Sequence, residues 1–240
     1  MKAGLEGDTV VAEYSLASGN IFTVRYTLLE GGILSVESDF KGVKSSKPVD
    51  VPRIGFRMRL PASADSFTYL GRGPEENYAD RFGGTLIGEY SSSASKEYVR
   101  YVRPQECGHH IDCEYLSIGG LAIRSDRFEF NALRCAVEDL DSEEAVQRDY
   151  QWENKGPLTE NDPAKAKNRL RRQTHINDYV ERDFVEVCVD YAQSGVGGYD
   201  SWAARPDGDR CLWSDRDYSF RFAIVPARAM GVRKSLGFDF

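Results

Sequence analysis

The sequence predicts an all-β fold of antiparallel strands, and three observations carry that prediction. Apolar and polar residues alternate with a period of two through the first quarter of the chain. Glycine-bearing turns interrupt this alternation about every dozen residues. No stretch keeps apolar residues at helical spacing for more than a few turns. Such a pattern gives strands with one face in a core and the other in water.

The elements follow in order. Val10, Ala12, Tyr14 and Leu16 share one face of a first strand, ended by Ser18-Gly19-Asn20. Phe22, Val24, Tyr26 and Leu28 mark a second, closed by Glu30-Gly31-Gly32. Leu34, Val36, Ser38 and Phe40 mark a third, before Lys41-Gly42. Ile54, Phe56, Met58 and Leu60, facing away from Arg57 and Arg59, make a fourth. Strand-like runs continue at Phe67–Leu70, Tyr98–Val102, Glu114–Ile118, Leu121–Arg124, Phe128–Ala132, Phe184–Asp190 and Tyr218–Val225. In the last, Tyr218, Phe220, Phe222 and Ile224 form one face.

Residues 138–172 depart from this pattern. An acidic half (Glu138, Asp139, Asp141, Glu143, Glu144, Asp149, Glu153) precedes a basic one (Lys165, Lys167, Arg169, Arg171, Arg172). Asp162-Pro163-Ala164 is a helix start, an acceptor at the N-cap followed by proline at the first helical position. The segment is expected to be a surface insertion with one or two short helices, its charges a solvated face.

The 240 residues suffice for one large β domain, and 41% hydrophobic content provides a core. A net charge of −7 argues against a nucleic-acid partner, which needs a basic face. No apolar run reaches the roughly 18–20 residues that span a bilayer, and the start has no apolar signal region. Either the protein is intracellular, with a cytoplasmic location the expectation, or its true N-terminus lies elsewhere. Five cysteines with irregular spacing and no C-x-x-C pair support neither a zinc ribbon nor a redox pair. They are expected to be reduced, with Cys188 an inert core thiol.

The tract Gly195-Val196-Gly197-Gly198-Tyr199-Asp200-Ser201-Trp202 joins a bending backbone to an indole. An aromatic plane on a shaped loop suits the C–H-rich face of a sugar ring. Trp202 is the expected sugar contact. Asp200 and Ser201 are expected to hold the loop through side-chain-to-backbone bonds. Glu75 and Glu76 invite an acid/base reading, but neighbours on an extended segment point opposite ways. Gly71 and Gly73 with Pro74 are expected to force a turn before them, with Asn77, Asp80 and Arg81 cross-linking the following loop. His110, Asp112 and Glu114 would share a face of a regular strand, a geometry open to a metal. The favoured expectation there is no metal.

Four tracts carry a family resemblance. They are Pro52-Arg53-Ile54-Gly55-Phe56 with Leu60, the run from Tyr69 through Gly71-Arg72-Gly73-Pro74-Glu75-Glu76-Asn77-Tyr78-Ala79-Asp80-Arg81, Tyr101-Val102-Arg103-Pro104-Gln105-Glu106-Cys107-Gly108, and Gly195 to Trp202. In order and spacing they resemble the C-terminal, small-chain domain of the bacterial β-galactosidases of glycoside hydrolase family 2. The second tract is the most specific.

The resemblance implies a large antiparallel super-sandwich, galactose mutarotase-like in fold, closing a multidomain retaining hydrolase of terminal β-D-galactosides. Both catalytic carboxylates, and any Mg or Na, would lie in a (β/α)8 barrel outside these residues, so no catalytic residue and no cofactor is expected here. Trp202 would stack on the substrate. Gly197, Gly198, Glu75, Asn77, Tyr78, Asp80, Arg81 and Glu106 would support the loops and the domain interface. The barrel-bearing polypeptide and a galactoside are the expected partners, with neither nucleic acid nor membrane, and oligomeric state stays open. Residues 1–240 would be one domain lacking its first portion, with Met1 an internal boundary. Cys107 replaces a usual asparagine, and the 138–172 segment is longer than usual. The alternative is a free-standing carbohydrate-binding or aldose-epimerase-like domain. A third reading is a pure scaffold with Trp202 packed in its core.

Overall fold

Alternation in the first third of the chain becomes a continuous hydrogen-bonded ladder. In the computed structural model, which describes residues 1–102, 106–140, 179–200, 202 and 204–227, strands β1 (Lys2–Glu6), β2 (Thr9–Ser15), β3 (Ile21–Leu29) and β4 (Ile33–Lys41) form an antiparallel meander. Residues of one parity line up across it, as in the row Leu5–Val10–Tyr26–Val36. The row continues into Phe222 of β13 (Tyr218–Pro226), which closes on β4.

Strand β10 (Leu121–Leu133) joins two layers. Its first residues, Leu121–Arg124, pair with β13, and its last, Glu129–Leu133, pair with β11 (Phe184–Gln193). Between them the register against β9 (His109–Ile118) shifts, near Arg124 and again near Phe130. Irregular pairing of this kind bends a strand, allowing one strand to serve two layers. One layer runs β1-β2-β3-β4-β13. The other holds β6 (Arg53–Pro61), β11, β9, β7 (Ser66–Gly73) and β8 (Leu86–Ser93). A two-stranded sheet of β5 (Asp50–Val51) and β12 (Leu212–Trp213) stands apart.

The inner faces meet in one core. Phe56 of β6 lies 5.2 Å, centroid to centroid, from Phe222, and 6.0 Å from Phe22 of β3. Phe128, Phe130, Phe67 and Tyr69 extend this packing through the second layer, all buried. The architecture is an antiparallel β-sandwich, as the alternation predicts.

Some expectations change. Leu121–Arg124 and Phe128–Ala132 are one strand, because a bulged ladder tolerates the intervening polar residues. Tyr98–Val102 forms no strand among the described residues; Tyr98, Val99 and Tyr101 instead pack on the satellite cluster Cys107, Leu133, Cys135 and Leu140. Strands β1 and β8 were unexpected, since β1 is exposed throughout and β8 is mostly exposed. The bend expected here comes at Pro74 and Glu75, directly after β7; Gly71 and Gly73 do not turn. They lie within β7, where a Cβ at 71 would sit 2.4 Å from Cys113 Sγ and one at 73 would sit 2.2 Å from the Tyr69 hydroxyl. Glycine is there because side chains from neighbouring positions cross the backbone closely.

The start of the charged segment is described and the rest is not. Asp139 is buried rather than solvated, and Arg182 Nε donates to its Oδ2 at 2.9 Å. The short helices expected around Asp162-Pro163-Ala164 lie outside the described residues. All five cysteines are free, four of them buried. Cys188 faces away from the core of Val187 and Val189, and Arg53 Nη1 lies 3.4 Å from its sulfur. Burial pushes the Cys188 thiol up to about 12.

Candidate functional site

The strongly turned tract after β11 meets the loop after β7 at one cleft. This cavity, of about 430 Å3, is lined by Pro52, Tyr78, Arg81, Tyr101, Glu106 and the run Gln193–Gly198, among others. Such a volume falls within the range of small-molecule sites.

Glu76 anchors the β7 side. Its carboxylate accepts from Arg81 Nη2 at 2.8 Å, the Gly108 amide at 2.8 Å, the Tyr78 hydroxyl at 3.1 Å and the Tyr101 hydroxyl. Glu75 is exposed and points elsewhere. Asn77 is fully buried. Its Nδ2 donates to the Arg72 and Glu75 carbonyls, and its Oδ1 accepts from the Ile111 amide at 2.8 Å. Arg81 lies over the Tyr78 ring, 4.8 Å from its centroid. With four donors on one carboxylate, Glu76 fixes the loop and has no geometry left for acid/base work.

Asp80, expected as a cross-link of its own loop, instead carries the link to the glycine tract, a partner that the sequence does not indicate. Its carboxylate accepts from the amides of Val196 (3.0 Å) and Gly197 (2.8 Å) and from the Tyr199 hydroxyl (2.8 Å). Burial alone would raise the Asp80 pKa, but the Gly197, Tyr199 and Val196 donors outweigh it and hold the carboxylate below its ordinary range. The same contact pushes the Tyr199 phenol up to about 12. Gly197 has φ +64°, and a Cβ there would meet the Ala204 carbonyl oxygen at 2.4 Å. Gly198 also has positive φ, and its amide donates to that same carbonyl at 2.8 Å. Only glycine fits this clamp without strain.

Trp202 stands beyond the clamp, 89% exposed. Asp200 Oδ1 accepts from its amide at 2.7 Å and from the Ala204 amide at 3.2 Å, an Asx-type turn. Ser201 lies outside the described residues. The indole is a free aromatic face on a braced loop, not a core side chain, so the scaffold reading with a packed Trp202 does not hold within this chain.

Beside the cleft lies a buried polar layer that the sequence reading also missed. Arg53 Nη2 donates to Gln193 Oε1 at 2.8 Å, and Arg53 Nε lies 3.1 Å from Asp190 Oδ2. His109 Nε2 and the Gln193 amide both reach Glu129 Oε2, at 3.0 and 2.8 Å. Tyr78 stacks on the His109 ring at 5.5 Å. Burial raises Glu129 to about 7 and Asp190 to about 8, and it keeps His109 neutral, well below its ordinary value. These are side chains of β6, β9, β10 and β11, so the polar layer joins the second sheet to the cleft.

The three metal candidates are not gathered. Asp112 takes φ +57° at the β9 bulge, where its carboxylate pairs with Arg72 and Arg127. His110 is buried and contacts Glu97 and Tyr69, while Glu114 is exposed. The bulge breaks the alternation that would have aligned them.

The family model for the beta galactosidase small chain matches residues 2–224. The chain belongs to the β-galactosidase small-chain family. Its sequence is 29% identical over 228 residues to a beta-galactosidase of Priestia megaterium, covering 91% of this chain and 19% of that protein. Beta-galactosidases of Actinobacillus pleuropneumoniae (26% over 214 residues) and Pseudoalteromonas haloplanktis (30% over 201 residues) match 88% and 83% of it. This small-chain domain thus spans less than a fifth of the length of the curated relatives it matches.

Proposed function

We propose that this domain is the C-terminal super-sandwich of a β-galactosidase-like retaining hydrolase and presents Trp202 at the rim of its sugar subsite. The observation that carries this reading is the exposed indole on a loop clamped at Asp80 and Asp200. A planar apolar surface stays exposed to water only at a cost, and a braced loop holds it ready for the C–H face of a galactoside or of its leaving group. Retaining hydrolysis needs two carboxyl groups about 5–5.5 Å apart astride the bond. Glu76 and Asp80, the carboxylates built into the cleft loops, are each committed to structural donors. The nucleophile and the acid/base are assigned to the barrel of the longer polypeptide, whose substrate is a terminal β-D-galactoside such as lactose.

A chromogenic galactoside incubated with the purified 240-residue chain tests this assignment. No release is expected, and measurable turnover would overturn it. The cleft favours one second reading, a free-standing sugar-binding domain, because its volume suits a monosaccharide. Under that reading free galactose shifts the tryptophan fluorescence of the isolated chain, and Trp202→Ala abolishes the shift. Under the leading reading the isolated chain shows no such shift.

A further inference from the structure

The two layers of the sandwich are unequal. On the side of β10 away from β9, the upper layer runs through β13, β4, β3, β2 and β1, whereas the lower holds, among the described residues, only β11 and β6. Phe56 of β6 reaches Phe22 of β3, and Tyr14 of β2 packs on Phe22 while Ala12 is 5% exposed, so cover ends beneath β2 and nothing described covers Leu5 or the Val10 end of β2. Yet the inner-face pattern continues outward unchanged. Leu5, Val10 and Tyr26 lie in the row of Val36 and Phe222, which are 1% exposed. At the overhang, Leu5 is 72%, Val10 45% and Leu28 68% exposed. The charged residues of these strands, Lys2, Glu6, Glu13 and Arg25, lie on the other face.

The lower layer stops at an open edge. Among the described residues β6 pairs only with β11, so its second edge offers unpaired amides and carbonyls. An open strand edge beside an uncovered apolar face is the combination that a further strand completes. Neighbouring strands lie about 4.8 Å apart and packed sheets about 10 Å. A strand added to β6 therefore falls under β2, at Val10.

We propose that this overhang is a docking surface for a β-strand of the longer polypeptide, which pairs with the free edge of β6 and buries Leu5, Val10 and Leu28. The proposal rests on the reading that the chain is one domain of a larger hydrolase, and the relatives' length supports an occupant from the same polypeptide. The occupant presents uncharged aliphatic or aromatic residues at alternate positions to match the uncharged face. A second copy of the chain fits poorly. Two β6 edges paired antiparallel about Met58 would set Arg57 of each copy opposite Arg59 of the other, and like charges opposed across a ladder are destabilising.

Thiol labelling of Leu28→Cys, in a Cys211→Ser background that leaves only buried cysteines, tests this. Val10→Cys gives an independent second position. The 240-residue chain and the longer polypeptide encoded by the complete gene are compared, with labelled peptides identified by mass. Labelling is expected to be fast in the former and slower by roughly tenfold or more in the latter, as for a side chain reached only by local opening. Amide exchange across Arg53–Pro61 should slow in parallel. Equal labelling rates overturn the docking surface. Unchanged exchange on β6 overturns a strand as occupant. Protection that grows with concentration of the isolated chain assigns the face to a second copy and overturns the proposal. Galactoside turnover of the longer polypeptide is measured separately: turnover without protection sinks the docking surface alone, and protection without turnover sinks the hydrolase reading alone.

Discussion

Asp80 is the residue on which the glycine tract depends. One carboxylate receives two consecutive amides and a phenol from a segment more than a hundred positions away. Asp80→Ala removes all three acceptor contacts, and amide exchange of 196–199 should then accelerate by roughly tenfold or more while the core strands stay protected. Unchanged exchange in the tract would show that the glycines hold their shape unaided. Glu129 makes a second prediction at this scale. Its folded pKa, about 7, lies above its ordinary 4.5 because of burial. A carboxyl raised in this way binds its proton more tightly when folded, so its stabilisation is full below about 4.5 and is lost as pH rises through about 7. Asp190, raised to about 8, acts in the same sense. His109, held neutral, acts in the opposite sense only below about 6.5, where the unfolded imidazole would protonate. The thermal midpoint should therefore fall between about pH 6.5 and 8.5, and Glu129→Gln should reduce that slope. An equally steep slope in the variant would rule out titration of Glu129 as its source.

Among the elements, β7 and β10 carry the tightest constraints. Phe130 is fully buried against Phe67, Tyr69 and His110. Phe130→Ala should cost about 3–5 kcal/mol in denaturant unfolding, the range for deleting a core ring. Gly71→Ala should cost about 1–3 kcal/mol, since the added methyl meets Cys113 Sγ at 2.4 Å inside a packed sheet. A neutral Gly71→Ala would mean that β9 yields freely. Legibility followed the same division. The alternating residues of β2, β3, β4 and β6 announce their strands, because one face meets the core and the other is largely in water; β13 announces itself through Tyr218, Phe220, Phe222 and Ile224, although Ala223 and Val225 are buried on its other face. Strand β8 does not, because as an edge strand with Leu86 and Ile87 both exposed it lacks that contrast. Tyr98–Val102 misleads for the converse reason: its aromatics are half-buried by a satellite cluster without any ladder.

At the scale of the whole molecule, a sandwich whose layers are offset at one side supports a cleft built from loops distant in sequence. The tracts that contribute those loops were visible in the sequence as glycine, proline and aromatic clusters. The bond network joining them was not, because nothing in the spacing of Asp80 and Gly197 says that they meet. The layer of Arg53, His109, Glu129 and Asp190 was hidden for a related reason: each looks like an ordinary solvated residue until four strands bring them together. Trp202 is the opposite case, its exposed place at the end of a bent loop being legible from its neighbours.

The central claim is that this domain lends an aromatic face to a sugar site completed by the longer polypeptide. Its most direct test is Trp202→Ala in that polypeptide, with KM and kcat for a β-galactoside and the thermal midpoint measured together. Loss of a stacking contact worth about 0.5–1.5 kcal/mol or somewhat more predicts a KM raised roughly tenfold with the midpoint unchanged. An unaltered KM would contradict the claim.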